Sequence, residues 1–108
     1  MSGQWVAENH PDGANVLVVH LQTAESCIIN VDGFWKGIKD NTENAEAFKE
    51  VQVVEGEGST ETSFNVVSDA LQAHDDIDVI YCINDTSALG AVQAVEDAGK
   101  TGQIDILG

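Results

Sequence analysis

The segment of residues 76–98 constrains the fold of this 108-residue chain more than any other part. Residues 79–83 form a short apolar run rich in β-branched side chains, which is the pattern of a strand covered on both faces. Residues 84–87, Asn-Asp-Thr-Ser, all have side chains that can cap a helix. A strand that passes into a helix through such a turn places the turn at the carboxyl edge of a parallel sheet, where open α/β folds bind their ligands. The sequence therefore predicts a functional site near Asn84.

The helix after this turn is predicted to span residues 88–98. Its larger apolar side chains recur at helical intervals and are expected to face the core together: Leu89, Val92 and Val95. Gly99 is placed to end the helix in a left-handed conformation. Residues 76–99 are thus predicted to form one strand–turn–helix unit of an α/β fold.

Strands and helices alternate along the chain. The other predicted elements are the end of a helix at residues 4–9, strands at residues 15–21, 51–54 and 104–107, a helix at residues 24–41, and a helix between residues 60 and 74. Strict alternation requires parallel strands joined by right-handed crossovers. The predicted fold is a doubly wound α/β sheet of about four parallel strands, with helices on both faces in a flavodoxin-like three-layer arrangement. All three strand-to-helix loops then lie along one edge, at residues 22–26, 55–60 and 84–87.

The charge of the chain disfavours two classes of partner. The chain has 19 acidic residues against four lysines and no arginine, and its net charge is −15. Nucleic acid is disfavoured because neutralising phosphates requires clustered Lys and Arg. Anionic ligands are disfavoured because the planar guanidinium fork that recognises carboxylates and phosphates is absent. So acidic a surface is typical of a salt-adapted protein, and a merely soluble acidic domain accounts for the composition equally well.

No arrangement of reactive side chains predicts catalysis. The three histidines lie in a turn, a strand and a helix end without metal-ligand spacing: His10, His20 and His74. The serines lack the glycine-flanked turn of a nucleophile elbow. Cys27 and Cys82 match no metal or redox spacing, which favours two buried thiols, although a disulfide between them stays open. We predict a protein that is not an enzyme and uses no metal or cofactor.

Three motifs spread over nearly the whole chain resemble one family when taken together. They are Asp-Gly-Phe at residues 32–34, Leu-Gln-Ala-His at residues 71–74 leading into Asp-Ile-Asp-Val-Ile, and Asn-Asp at residues 84–85 followed by Ala-Leu-Gly-Ala. The sequence resembles the carboxyl-terminal lobe of type I periplasmic sugar-binding proteins, the solute receptors of ABC importers. It also resembles the effector-binding core of lactose-repressor-type transcriptional regulators, which is the alternative function. Here no helix-turn-helix precedes the core, and the negative charge does not suit DNA.

The resemblance implies a binding site for a neutral sugar or polyol. Members of the family hold the ligand between two lobes that close on a hinge, and Asn84 matches the Asn that commonly bonds a sugar hydroxyl from this lobe. An amide suits a polyol because it presents two donors and an acceptor. The candidate ligand-binding residues are Asn84, Asp85, Gln22, Thr23 and Ser26. Asn84 or Asp85 could instead cap the following helix, and binding and capping are compatible roles.

This chain departs from the family pattern at three positions. Where many relatives have arginine, another basic residue and an aromatic residue, the chain has Ile28, Asn30 and Gly58. These differences imply either a different ligand or a lobe that has lost binding.

We expect residues 1–108 to be a single partial domain, truncated at both ends, that lacks the amino-terminal lobe. The parent protein is expected to be periplasmic or extracytoplasmic and to deliver its solute to the membrane permease of an ABC importer. The chain itself has no recognisable targeting segment and no apolar run near the ~20 residues that span a bilayer. We expect no tight sugar binding from one lobe alone.

Overall fold

The computed structural model describes residues 2–10, 12–21, 25–57 and 59–107. The elements are helix α1 (Ser2–Asn9), strand β1 (Ala14–His20), helix α2 (Glu25–Asn41), a short 3₁₀ turn (Ala45–Ala47), strand β2 (Phe48–Glu55), helix α3 (Thr60–Ala73), strand β3 (Val79–Cys82), helix α4 (Asp85–Asp97) and strand β4 (Asp105–Leu107). The strands pair in parallel in the order β2-β1-β3-β4. The predicted doubly wound α/β fold is confirmed. No helix within the described residues is both long and apolar enough to cross a membrane.

Strand β1 lies at the centre of the sheet and is buried almost throughout. Its last residues align with the ends of both neighbours, because His20 is the register partner of Glu55 and Val19 is the partner of Cys82. The three strand ends are therefore level. We call this end of the sheet, with the loops that follow β1, β2 and β3, the carboxyl edge.

Alternate residues of each strand supply two separate cores. On one face, Val16 and Val18 of β1 pack with residues of α1 and α2, and the Phe34 ring stacks on Tyr81 with centroids 4.3 Å apart. On the other face, Leu17 and Val19 pack with residues of α3 and α4. The sheet is therefore covered on both faces, as the β-branched run of β3 indicated.

Helix α4 begins earlier and uses a different buried face than predicted. It starts at Asp85 instead of residue 88, and its buried residues are Ser87, Gly90, Ala91, Ala94 and Val95. Leu89 and Val92 are 57% and 38% exposed, so their predicted place in the core was wrong. A Cβ atom on Gly90 would lie 2.4 Å from the Thr60 carbonyl oxygen. Helices α3 and α4 approach so closely that only small side chains fit between them.

Strand β2 is longer than predicted, since it begins at Phe48 instead of residue 51. It is an edge strand, so Lys49, Glu50 and Gln52 are exposed and break the apolar run on which the prediction depended. Phe48 is buried at its start and pairs with Ala14.

The two cysteines lie on opposite sides of the sheet. Cys82 belongs to the core beneath α3 and α4, whereas Cys27 is on α2, which packs on the other face. Cys82 is a free, buried cysteine, so the disulfide that the sequence left open does not form. Burial raises the pKa of the Cys82 thiol to about 12, because the thiolate would lose its hydration.

Candidate functional site

Helices α3 and α4 both begin at the carboxyl edge, and each begins at a capping side chain. Ser59 Oγ accepts from the backbone N–H of Thr62 at 3.4 Å, and Asn84 Oδ1 accepts from the backbone N–H of Ser87 at 2.9 Å. Such caps satisfy backbone donors that a helix start otherwise leaves without partners. The polar turns that the sequence predicted at this edge are therefore built by local hydrogen bonding.

The oxygen and the nitrogen of the Asn84 amide are in different hydrogen-bonding situations. Its oxygen accepts from the Ser87 backbone and from Thr86 Oγ1 at 3.0 Å, which fixes the orientation of the amide group. Its Nδ2 group has no hydrogen-bond partner among the described residues, and the side chain is only half-buried. Capping therefore leaves both N–H donors of Asn84 available to a ligand.

The structure places the other predicted site residues unevenly. Asp85 is exposed on the first turn of α4, where the helix dipole favours a carboxylate. Ser26 lies in the first turn of α2, where the predicted loop of residues 22–26 overlaps the predicted helix of residues 24–41. The Ser26 side chain, and Gln22 and Thr23 entirely, lie outside the described residues. The ligand-binding roles of all five residues remain predictions.

The segments that follow β2 and β3 are tied to each other and to the end of β1. Thr60 Oγ1 donates to the Thr86 carbonyl oxygen at 2.8 Å, which joins the start of α3 to the start of α4. The Gly56 N–H donates to the His20 carbonyl oxygen at 3.1 Å, which continues the pairing of β1 and β2 beyond the strands. These bonds hold Asn84 on a preformed surface instead of a free loop.

Two enclosed polar side chains at this edge were not assigned a role from the sequence. His20, at the end of β1, is 7% exposed, and its Nδ1 atom has no hydrogen-bond partner within the described part of the chain. Ser87 is fully buried in the first turn of α4, and its Oγ atom likewise has none there. The available signal for His20 was a titratable residue closing an otherwise apolar strand. For Ser87, the pattern indicated only a capping cluster.

The charges around the carboxyl edge are negative. Glu57, Glu61 and Asp85 are exposed in its loops and first helical turns. The four lysines lie elsewhere: two in the second half of α2, one at the start of β2 and one before β4, at Lys36, Lys39, Lys49 and Lys100. The positive ends of the helix dipoles are therefore the cationic element that α3 and α4 offer here.

The opposite end of the sheet, which we call the amino edge, pairs its polar groups. Asp78 Oδ2 accepts from the Asn15 backbone N–H at 2.9 Å, and His10 Nε2 lies 2.7 Å from Asp105 Oδ2. Lys100 Nζ donates to the Asp75 carbonyl oxygen at 3.3 Å. A groove of about 420 Å³ between the ends of α3 and α4 also lies on this side, remote from Asn84. The described residues contain no group of three side chains that could hold a metal ion.

Comparison with known proteins gives consistent relatives. The family model for the periplasmic binding protein domain matches residues 1–108. The D-ribose/D-allose-binding protein of Pseudomonas aeruginosa is 31% identical over 106 residues, which is 98% of this chain and 32% of that protein.

Crystal structures of transport receptors share the fold. An ABC transporter solute-binding protein from Burkholderia multivorans superposes with a TM-score of 0.87 at 29% identity, covering 99% of this chain and 36% of the other. A periplasmic solute-binding protein from Actinobacillus succinogenes with bound D-allose gives a TM-score of 0.77 at 27% identity, covering 97% and 36%. The chain thus spans about a third of the length of these relatives.

Proposed function

This chain belongs to the periplasmic binding protein domain family, and from that premise we propose that it is one sugar-binding lobe of an ABC-importer solute receptor. In this proposal residues 1–108 form a single partial domain, and a second lobe supplies the opposite wall of the cleft. The parent protein is periplasmic or extracytoplasmic and passes its solute to a membrane permease. The lobe binds and does not catalyse.

The free donor pair on Asn84 is the observation that carries this proposal. Two N–H groups lie at the carboxyl edge beside the exposed carboxylate of Asp85, and neither is used by the helix cap. A sugar hydroxyl can accept from the amide and donate to the carboxylate, so the two side chains are complementary to a polyol. The matching position in sugar receptors, given above as a resemblance, agrees with this role.

Charge supports a neutral ligand. Exposed acids share the carboxyl edge with Asn84, and all four lysines lie on other parts of the chain. A sugar acid or sugar phosphate would meet repulsion with no cationic side chain to compensate. Neutral sugars of the kind that the relatives are named for, D-ribose and D-allose, fit this environment.

Affinity is expected to be weak for one lobe alone. A ligand on the carboxyl edge touches this lobe on one side and stays exposed to water on the other, whereas tight sites bury most of the ligand surface. Calorimetric titration of the 108-residue chain with D-allose and D-ribose should therefore show no heat at millimolar sugar. A micromolar affinity would contradict the single-lobe proposal.

The site itself is tested by NMR with N84D. Asp keeps the oxygen that caps α4 but removes both amide donors, so folding should be retained while binding is lost. In the unmodified chain, high concentrations of D-allose should shift the signals of Asn84 and its neighbours, and N84D should abolish these shifts. N65D, which makes the same charge change at an exposed position of α3, is the control. Unchanged sugar-induced shifts in N84D would refute the role of Asn84.

A further inference from the structure

His20 occupies a position where packing alone does not call for a histidine. It follows Val16 and Val18 by strand alternation on the face covered by α2, and it is the last residue of the central strand. At 7% exposure it is as enclosed as a core residue, yet its Nδ1 atom has no partner in the described residues. Nearly all enclosed polar atoms in proteins are hydrogen-bonded, so an exception requires an explanation.

The second ring nitrogen of His20 is in a different situation. Nε2 is not among the enclosed atoms without partners, and no described residue hydrogen-bonds to it, so the remaining exposure of the ring includes this atom. An enclosed N–H without a partner is rarer than an enclosed acceptor without one. The tautomer with its proton on Nε2 is therefore favoured, and it presents one N–H donor at the carboxyl edge.

A carboxylate and an aliphatic side chain also lie at this end of the sheet. Glu55, the register partner of His20 on β2, is half-buried. Ile28 lies in the first turn of α2, on the same helical stripe as Val31, Trp35 and Ile38, which pack on the sheet. Val31 and Ile38 are buried, whereas Ile28 is 41% exposed, as expected for a residue on this stripe near the end of the sheet. A donor and an aliphatic side chain at the same end of the sheet are complementary to a sugar ring, whose hydroxyls alternate with C–H faces.

We infer that His20 is a second ligand-contact residue of this lobe, donating from Nε2 to a sugar hydroxyl on the side of the ligand that faces α2 and Ile28. Asn84 then serves the α4 side of the same ligand. This inference rests on the proposed sugar-binding function and extends its site across both faces of the sheet. It also assigns a use to a buried histidine at a position that an apolar residue could fill.

The test is NMR titration of the 108-residue chain with D-allose, following the ring signals of His20 and the signals of Asn84. Shifts at both residues are expected. H20L removes the donor and should weaken the apparent affinity about fivefold to tenfold, the equivalent of one neutral hydrogen bond, while leaving the thermal midpoint unchanged or higher. H20Q, which retains an N–H donor, should recover most of the affinity. H74L, at a histidine on the amino side that bonds Gln52, is the control and should leave affinity unchanged.

The outcomes separate this inference from the function on which it rests. Sugar-induced shifts at Asn84 with none at His20, and unchanged affinity in H20L, would overturn the inference alone. No shift at either residue at saturating sugar would overturn both. Equal losses in H20L and H20Q would show that His20 acts through shape and not as a donor, which would also overturn it. If H20L does not fold, the unmodified chain decides alone: sugar-induced shifts of the His20 ring signals support the inference, and their absence beside shifts at Asn84 overturns it.

Discussion

Polar side chains at the amino edge of the sheet have hydrogen-bond partners, whereas at the carboxyl edge two enclosed polar atoms lack partners within the described residues. At the amino edge, Asp78 accepts a hydrogen bond from the Asn15 backbone, and His10 pairs with Asp105. At the carboxyl edge, His20 Nδ1 and Ser87 Oγ have no hydrogen-bond partner among the described residues. The amino edge satisfies its polar groups, which contributes to stability. The carboxyl edge retains unsatisfied groups, of the kind that concentrate at binding sites.

The difference also concerns the two ends of α3 and α4. Where they begin, they are joined by the Thr60–Thr86 bond and by the close approach at Gly90. Where they end, they are separated enough to leave a groove. Rigidity is thus concentrated beside the candidate site, which keeps Asn84 in place before any ligand arrives.

The largest effect on stability is expected from G90A, which disturbs the close packing of α3 against α4. An added Cβ atom would lie 2.4 Å from the Thr60 oxygen and 2.8 Å from the Phe64 nitrogen, both backbone atoms that cannot move aside locally. We expect a loss of about 1–3 kcal/mol or more in the free energy of unfolding, measured by urea denaturation. G33A is the control, because a Cβ there meets nothing within 4 Å and should stabilise α2 by about 0.5–1 kcal/mol. Equal stability of G90A and G33A would contradict the close packing.

A smaller effect is expected from D78A at the amino edge. Removing the carboxylate leaves the Asn15 N–H without its partner. Because the position is only partly buried, the free energy of unfolding should fall by about 1 kcal/mol, the low end of the cost of an unsatisfied donor. Sugar-induced shifts at Asn84 should be unaffected. D69A, at an exposed position of α3, should change stability little. If D78A left the free energy of unfolding unchanged but altered the sugar-induced shifts at Asn84, the amino edge would contribute to binding instead of stability, which would contradict this comparison of the two edges.

The smallest effect is expected from S87A at the carboxyl edge. Its Oγ atom is fully buried and has no partner in the described structure, so its removal should leave stability unchanged or raise it by up to about 1 kcal/mol. S59A removes a helix cap of similar size and should instead cost about 0.5–1 kcal/mol. Thermal melts of the two variants compare them directly, and a larger loss in S87A than in S59A would show that Ser87 is hydrogen-bonded.

The strand pattern predicted the fold because β1 and β3 are buried on both faces and read as continuous apolar runs. The helical pattern failed in α4 because periodicity ranks residues by hydrophobicity, whereas the packing there is decided by size. Gly90, Ala91 and Ala94 face the core since α3 lies too close for Leu89 or Val92. How closely α3 approaches α4 cannot be predicted from the residues of α4 alone.

The location of the candidate site was predictable in the same way, because alternation placed Asn84 at the carboxyl edge. The division of its amide between cap and free donors was not, since it depends on which backbone N–H lies within reach. The state of His20 was not predictable either. Whether a polar atom is enclosed without a partner is a property of all its neighbours together.

Burial of Cys82 has a consequence for a chain proposed to work outside the cytoplasm. Oxidation of a cysteine proceeds through its thiolate, and the folded lobe suppresses that form by raising the pKa of the thiol to about 12. Once export and folding are complete, the sulfur is therefore shielded from the disulfide-forming catalysts of an oxidising compartment. A disulfide through Cys82 would require the lobe to unfold first, so a cross-link at this residue would record damage to the receptor.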